Sequence, residues 1–181
     1  GTLTITGAGA VNIGTLDAGF DTVNAADNTG GVTLVLDSGT DTSVTLGSGN
    51  DTVSTDATMA ASVTLAVDAG EGTADRLIVT DDADLNIASE GARYTNFETL
   101  RYTEGGGAAN INMSLISGIT KLESGANTSA SFTNVTAEQA SSITVLADQA
   151  TDLSITLASA AGTSDVATFN FASATATTNV D

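Results

Sequence analysis

The chain has 181 residues, enough for one or two domains with a real core, and its net charge of -18 sets 22 acids against Arg76, Arg93, Arg101 and Lys121. That balance argues against nucleic acid and anionic membranes as partners and in favour of cations. With no His, Cys, Trp or Pro, the chain has no imidazole base, thiol nucleophile or disulfide, and it lacks the usual zinc and haem ligand sets.

No apolar run approaches the roughly 18 residues of a membrane-crossing helix. The first residues, GTLTIT, alternate like a strand and have no charged n-region or apolar h-region, which suggests a processed protein or a segment of a longer one. Apolar residues then alternate with Thr, Ser or Asn along the chain. They are Leu3 and Ile5, Val11 and Ile13, Val32, Leu34 and Leu36, Val44 and Leu46, and Val63, Leu65 and Val67. The pattern continues through Leu85 and Ile87, Ile111 and Met113, Ile143 and Val145, Leu153, Ile155 and Leu157, and Phe169 and Phe171. A period of two in Val, Ile and Thr predicts half-buried strands, so the chain is read as nearly all β. Only NVTAEQASSI (134–143) predicts a helical turn, capped by Thr136 with Gln139 three residues on.

The turns have a metre. Gly19 to Gly39 is 20 residues, Gly39 to Gly49 is 10 and Gly49 to Gly70 is 21. Two strands and two turns per coil of about 20 residues would stack the turns at 19 and 39 on one edge and those at 49 and 70 on the other. The predicted fold is therefore a parallel β-roll or β-helix, a β-solenoid. Of the 22 acids, 15 lie in 1–103 and 7 in 104–181, and the Gly-Asp turns stop near EGGGAAN (104–110). The chain is divided accordingly into a β-roll over 1–103 and a β-rich extension over 104–181, with one continuous domain as the alternative.

Three turns share a kernel: Gly19-Phe20-Asp21-Thr22, Gly39-Thr40-Asp41-Thr42 and Gly49-Asn50-Asp51-Thr52. A fourth, DAGEGTAD (68–75), keeps Asp68 and Gly70 and delays its next Asp to position 75. Two residues before each glycine stand Asp17, Asp37, Gly47 and Asp68. Glycine reaches positive φ, so it is expected to turn neighbouring carbonyls into the loop while aspartate supplies charge. A hard cation needs six to eight oxygens, which two adjacent turns could provide. Carboxylates stacked about 4.8 Å apart would repel by about 0.9 kcal/mol in water and about 3.5 kcal/mol at an effective dielectric of 20, and a divalent ion between them reverses the sign.

These turns resemble the RTX nonapeptide repeat G-G-x-G-x-D-x-U-x, best over 46–54, where Gly47, Gly49, Asp51 and Val53 occupy the second, fourth, sixth and eighth places. The resemblance implies Ca2+ bound between successive coils, and the positions it marks are Asp17, Gly19, Asp21, Asp37, Gly39, Asp41, Gly47, Gly49, Asp51, Asp68 and Gly70. Together with the acidity, the Thr, Ser, Ala and Gly richness, NFETL and NVTAEQASSITV, the chain is similar to calcium-dependent surface-layer (S-layer) and large adhesin proteins of Gram-negative bacteria. That likeness implies type I secretion, a cell-surface location and self-assembly into a lattice or filament, with cell-surface polysaccharide as a further partner. It implies neither membrane insertion nor nucleic-acid binding.

Other chemistry finds less support. An EF-hand at Asp82 would need glycine at Ile87 and a bidentate Glu at Arg93. Asp81, Asp82 and Asp84 are read as a solvated acidic turn and not as the paired carboxylates of a polysaccharide lyase or hydrolase. The chain is therefore expected not to be an enzyme; an adhesin or carbohydrate-binding extension module is the alternative. YTNFETLRYT (94–103) is expected to form the core or an end cap of the coil stack.

Overall fold

The computed structural model describes residues 1–40, 42–56, 59, 64–103, 109–125, 130–147, 152–159, 161 and 166–172. Alternating apolar residues turn one side of each strand inward, and the chain winds into a β-solenoid of about 7 turns with roughly 22 residues per turn. Seven strands come first: β1 (Thr2–Thr4), β2 (Val11–Thr15), β3 (Thr22–Asn24), β4 (Val32–Val35), β5 (Thr42–Thr45), β6 (Thr52–Ser54) and β7 (Leu65–Asp68). After β8 (Arg76–Val79) come a 3-10 turn (Asp82–Leu85), the one-turn helix α1 (Ala88–Gly91), β9 (Tyr94–Thr95) and β10 (Thr99–Tyr102). The rest is β11 (Ala109–Asn112), β12 (Lys121–Ser124), β13 (Ala130–Val135), α2 (Ala137–Ala140), β14 (Ile143–Val145), β15 (Leu153–Leu157) and β16 (Phe169–Phe171), with a second 3-10 turn at Met113–Leu115.

Among the described residues every strand pairing is parallel, and odd and even strands fall on opposite walls. The even strands make one continuous eight-stranded sheet from β2 to β16, which passes through the expected division at 103/104. The odd strands make a five-stranded sheet from β1 to β9 and then a three-stranded sheet from β11 to β15. The drop in acidic turns thus coincides with a change of the second wall while the first runs on.

Between the walls lies a single apolar column. Val23, Val32, Leu34, Val53, Leu77, Leu100, Phe132 and Val145 are fully buried, and Leu36, Val44, Val67 and Ile143 nearly so. Tyr94, Phe97, Leu100 and Tyr102 are at most 1% exposed, and β10 has neighbours on both sides, so they form the core partway along the stack and not an end cap. Tyr94 meets Phe97 edge-on at 6.5 Å. The helical turn at 137–140 forms as its sequence predicts: Gln139 N–H donates to Thr136 Oγ1 at 3.2 Å, and Thr136 N–H donates to Gln139 Oε1 at 2.9 Å.

Two alternations mislead. Leu85 ends the first 3-10 turn and Met113 begins the second, so neither lies in a strand. The Asp81–Asp84 segment also differs from a solvated turn. Asp81 caps it by accepting the Ala83 N–H at 2.9 Å, and the tight 3-10 winding carries Asp84 inward to 1% exposure, where its carboxylate accepts the Met59 N–H at 2.6 Å.

Candidate functional site

The solenoid has two corners, and the turns marked by the sequence divide between them. The first corner follows each even strand. Because β2 and β4 pair, the turns holding Gly19 and Gly39 share it. Asp17 accepts the Gly19 N–H at 2.8 Å, and Asp37 accepts the Gly39 N–H at 2.9 Å and the Thr40 hydroxyl at 2.8 Å. One oxygen of each carboxylate thus folds its own turn, as Asx turns do. The Thr40 hydroxyl and then the Gly39 N–H hold Asp37 below the usual carboxylate range. Asp21 is largely exposed and meets the amino group of Gly1 at 2.8 Å. Asp41 lies outside the described residues.

The second corner follows the odd strands and carries Gly47, Gly49, Asp51 and Gly70. Here the glycines serve a purpose other than the one expected. Gly47 and Gly49, like Gly19 and Gly39, lie outside the left-handed region, whereas Gly70 is in it at φ 86°. What Gly47 and Gly49 allow is close approach between coils. A methyl on Gly47 would run into the Asn28 carbonyl oxygen, and one on Gly49 into the backbone nitrogen of Gly31. Gly72, which the sequence reading did not mark, has the same role: its methyl would strike the Asp75 carboxylate and the Gly49 carbonyl oxygen. Asp68 repeats the Asx turn, accepting the Gly70 N–H at 3.0 Å, and also takes a bond from Asn96 Nδ2 at 2.8 Å.

Just before the even strands, this corner builds a ladder of acids. Register places Val32, Asp51, Asp75 and Glu98 on successive rungs: Val32 opens β4, and the three acids immediately precede β6, β8 and β10. Each acid reaches back one coil. Asp51 Oδ1 accepts the Val32 N–H at 2.5 Å, Asp75 Oδ1 accepts the Asp51 N–H at 2.6 Å, and Glu98 Oε2 accepts the Asp75 N–H at 2.8 Å. Asp51 is 1% exposed and Asp75 is 0% exposed, and the second oxygen of each is buried without a hydrogen-bond partner. Burial pushes Asp51 up, against the pull of the Val32 and Gly47 N–H groups. Burial likewise pushes Asp75 up to about 6; the Asp51 N–H opposes this, and the charges of Asp51 and Glu98 add to it. The sequence stretch DAGEGTAD holds Asp75, but only the register shows that Asp75 stacks on Asp51 and that Glu98 continues the row.

Whether calcium suits these residues turns on oxygen supply. Among the described residues no three acids converge on one point. A cation would have to complete its six to eight oxygens from main-chain carbonyls and water. The second corner meets the first requirement of such a site, with two unpartnered carboxylate oxygens one rung apart and the Gly49 carbonyl facing the Asp75 loop. The first corner offers Asp17 and Asp37 on adjacent rungs, each with one oxygen already engaged.

No protein-family model, curated protein or solved structure matches this chain.

Proposed function

We propose that the chain is a structural, self-assembling extracellular protein of the S-layer or surface-filament kind, whose coil stack is completed by calcium at its acidic corners. The observation that carries this reading is the pair of buried carboxylate oxygens on Asp51 and Asp75, one rung apart and without partners, in a chain of net charge -18. Two desolvated carboxylates on adjacent rungs call for a proton or a metal between them. At neutral pH a divalent cation offsets more of their repulsion than a single proton does.

On this reading Asp51 and Asp75, with the Gly47 and Gly49 main chain, form one calcium-binding corner. Asp17, Asp37 and the turns at Gly19 and Gly39 form the other. Low calcium before export would leave the corners repelling one another, and the calcium outside the cell would close the stack. The rigid, repetitive rod that results is a building element for a cell-surface layer and needs no catalytic apparatus.

Electron microscopy and sedimentation of purified protein with and without millimolar calcium test the proposal. A sheet or filament that forms only with calcium is expected. Dispersed rods in both conditions would remove self-assembly and leave the adhesin-module alternative.

A further inference from the structure

Three of the four cations in the chain lie together. Alternation in β8, β10 and β12 buries Leu77, Leu100 and Leu122 and turns Arg76, Arg101 and Lys121 to the outer face of the eight-stranded sheet. Register sets Arg76, Thr99 and Lys121 in one row and Arg101 and Glu123 in the next. The Glu123 carboxylate accepts from Arg76 Nε at 3.0 Å, Arg76 Nη2 at 3.3 Å and Arg101 Nε at 2.6 Å. Lys121 is exposed and joins no ion pair among the described residues. Two arginines therefore share one carboxylate with Lys121 on the same face beside them, so three positive charges stand against one negative and leave a positive island on a strongly negative rod.

The second corner carries a complementary row. Asp27, Ser48 and Glu71 are all exposed, and their loops ride on successive rungs, with the Ser48 N–H on the Asn28 carbonyl and the Glu71 N–H on the Gly47 carbonyl. Asp27 and Glu71 are thus two rungs apart, as Arg76 and Lys121 are, a separation of about 9.6 Å at the usual strand spacing. Charges of opposite sign on two rows of equal pitch can meet tooth to tooth, and such complementarity guides association.

We propose that the Arg76–Arg101–Lys121 island docks the Asp27–Glu71 corner of a second copy of this chain, a contact that rests on the self-assembly reading above. The two patches differ, so the contact is heterologous: after two copies join, each still offers one patch, and further copies add head to tail, into a ring or a filament according to the rotation from copy to copy.

The test is sedimentation velocity in millimolar calcium, with circular dichroism to confirm folding. Lys121→Glu, and separately Asp27→Lys with Glu71→Lys, are each expected to raise the concentration needed for assembly at least about tenfold. Assembly of either folded variant at the wild-type concentration overturns the contact while leaving self-assembly in place. Wild-type protein that stays monomeric in calcium overturns the self-assembly reading and this contact with it. Should Lys121→Glu fail to fold, Lys121→Gln is expected to weaken assembly by a smaller factor, and no weakening overturns the contact.

Discussion

Asp75 hangs from the rung beneath it: its Oδ1 accepts the backbone N–H of Asp51 at 2.6 Å while its other oxygen is buried without a partner. This relationship ties the stacking of two coils to the ionisation of one side chain. A carboxylate that accepts a single N–H and loses its water is better off protonated, unless a cation joins it.

The first prediction concerns pH. Burial raises Asp75 to about 6 from the ordinary 3.8, so the folded state binds this proton more tightly than the unfolded state does. Its contribution to stability is fully present below about pH 4 and is lost as pH rises through about 6. The loss is at most about 3 kcal/mol, since each pKa unit is worth about 1.4 kcal/mol. Asparagine imitates the protonated acid. In chelator, Asp75→Asn is expected to melt above wild type at pH 7.5 and close to it at pH 4.5. Equal melting at pH 7.5 would show that the buried charge costs nothing.

Glycine substitutions separate close approach from turn flexibility. At Gly47 an added methyl meets the Asn28 carbonyl oxygen of the previous coil, and backbone cannot step aside as a side chain can. Gly47→Ala is expected to cost about 3 kcal/mol or more, or to prevent folding. At Gly39 the nearest atom is Asp37 Oδ1 at 3.7 Å, so Gly39→Ala should cost under about 1 kcal/mol. Urea unfolding of the two variants checks the contrast, which similar losses would erase.

The capping box at α2 supplies a test in the other half of the chain. Thr136→Ala removes the acceptor for the Gln139 N–H and is expected to cost about 1 kcal/mol. Gln139→Ala should cost more, about 2 kcal/mol, because the buried amide also donates to the Ile119 carbonyl of the preceding coil at 3.0 Å. Equal losses in urea unfolding would mean that the bond between coils contributes nothing.

Much of the solenoid can be read from alternation, because a parallel strand facing one apolar column repeats every second residue. Val32 and Leu34, Val44, and Ile143 and Val145 all fall where their pattern puts them. Arg76–Val79 escapes the reading because its outward Ile78 turns the alternation into a continuous apolar run, and Thr99–Tyr102 is obscured by a cluster of aromatics. The metre of the glycines gives the coil length and the sharing of corners. It does not give register, since a shift of a single residue would unstack Asp75 from Asp51. The Asp75–Glu98 continuation of the ladder, the inward turn of Asp84 and the basic island around Glu123 all depend on register or on local 3-10 winding. Asp17, Asp37 and Asp68 are marked by their place two residues before a glycine, but sequence alone cannot separate an oxygen that folds its own loop from one that faces a neighbouring coil.

The central claim is that cations complete the acidic corners, and calorimetric titration of calcium into metal-free protein, paired with melting curves, tests it most directly. Saturable binding is expected, with a melting temperature that rises with calcium. Each site filled at ten times its dissociation constant adds about 1.4 kcal/mol, and Asp51→Asn with Asp75→Asn should remove part of that gain. No binding, and identical melting in calcium and in chelator, would contradict the account.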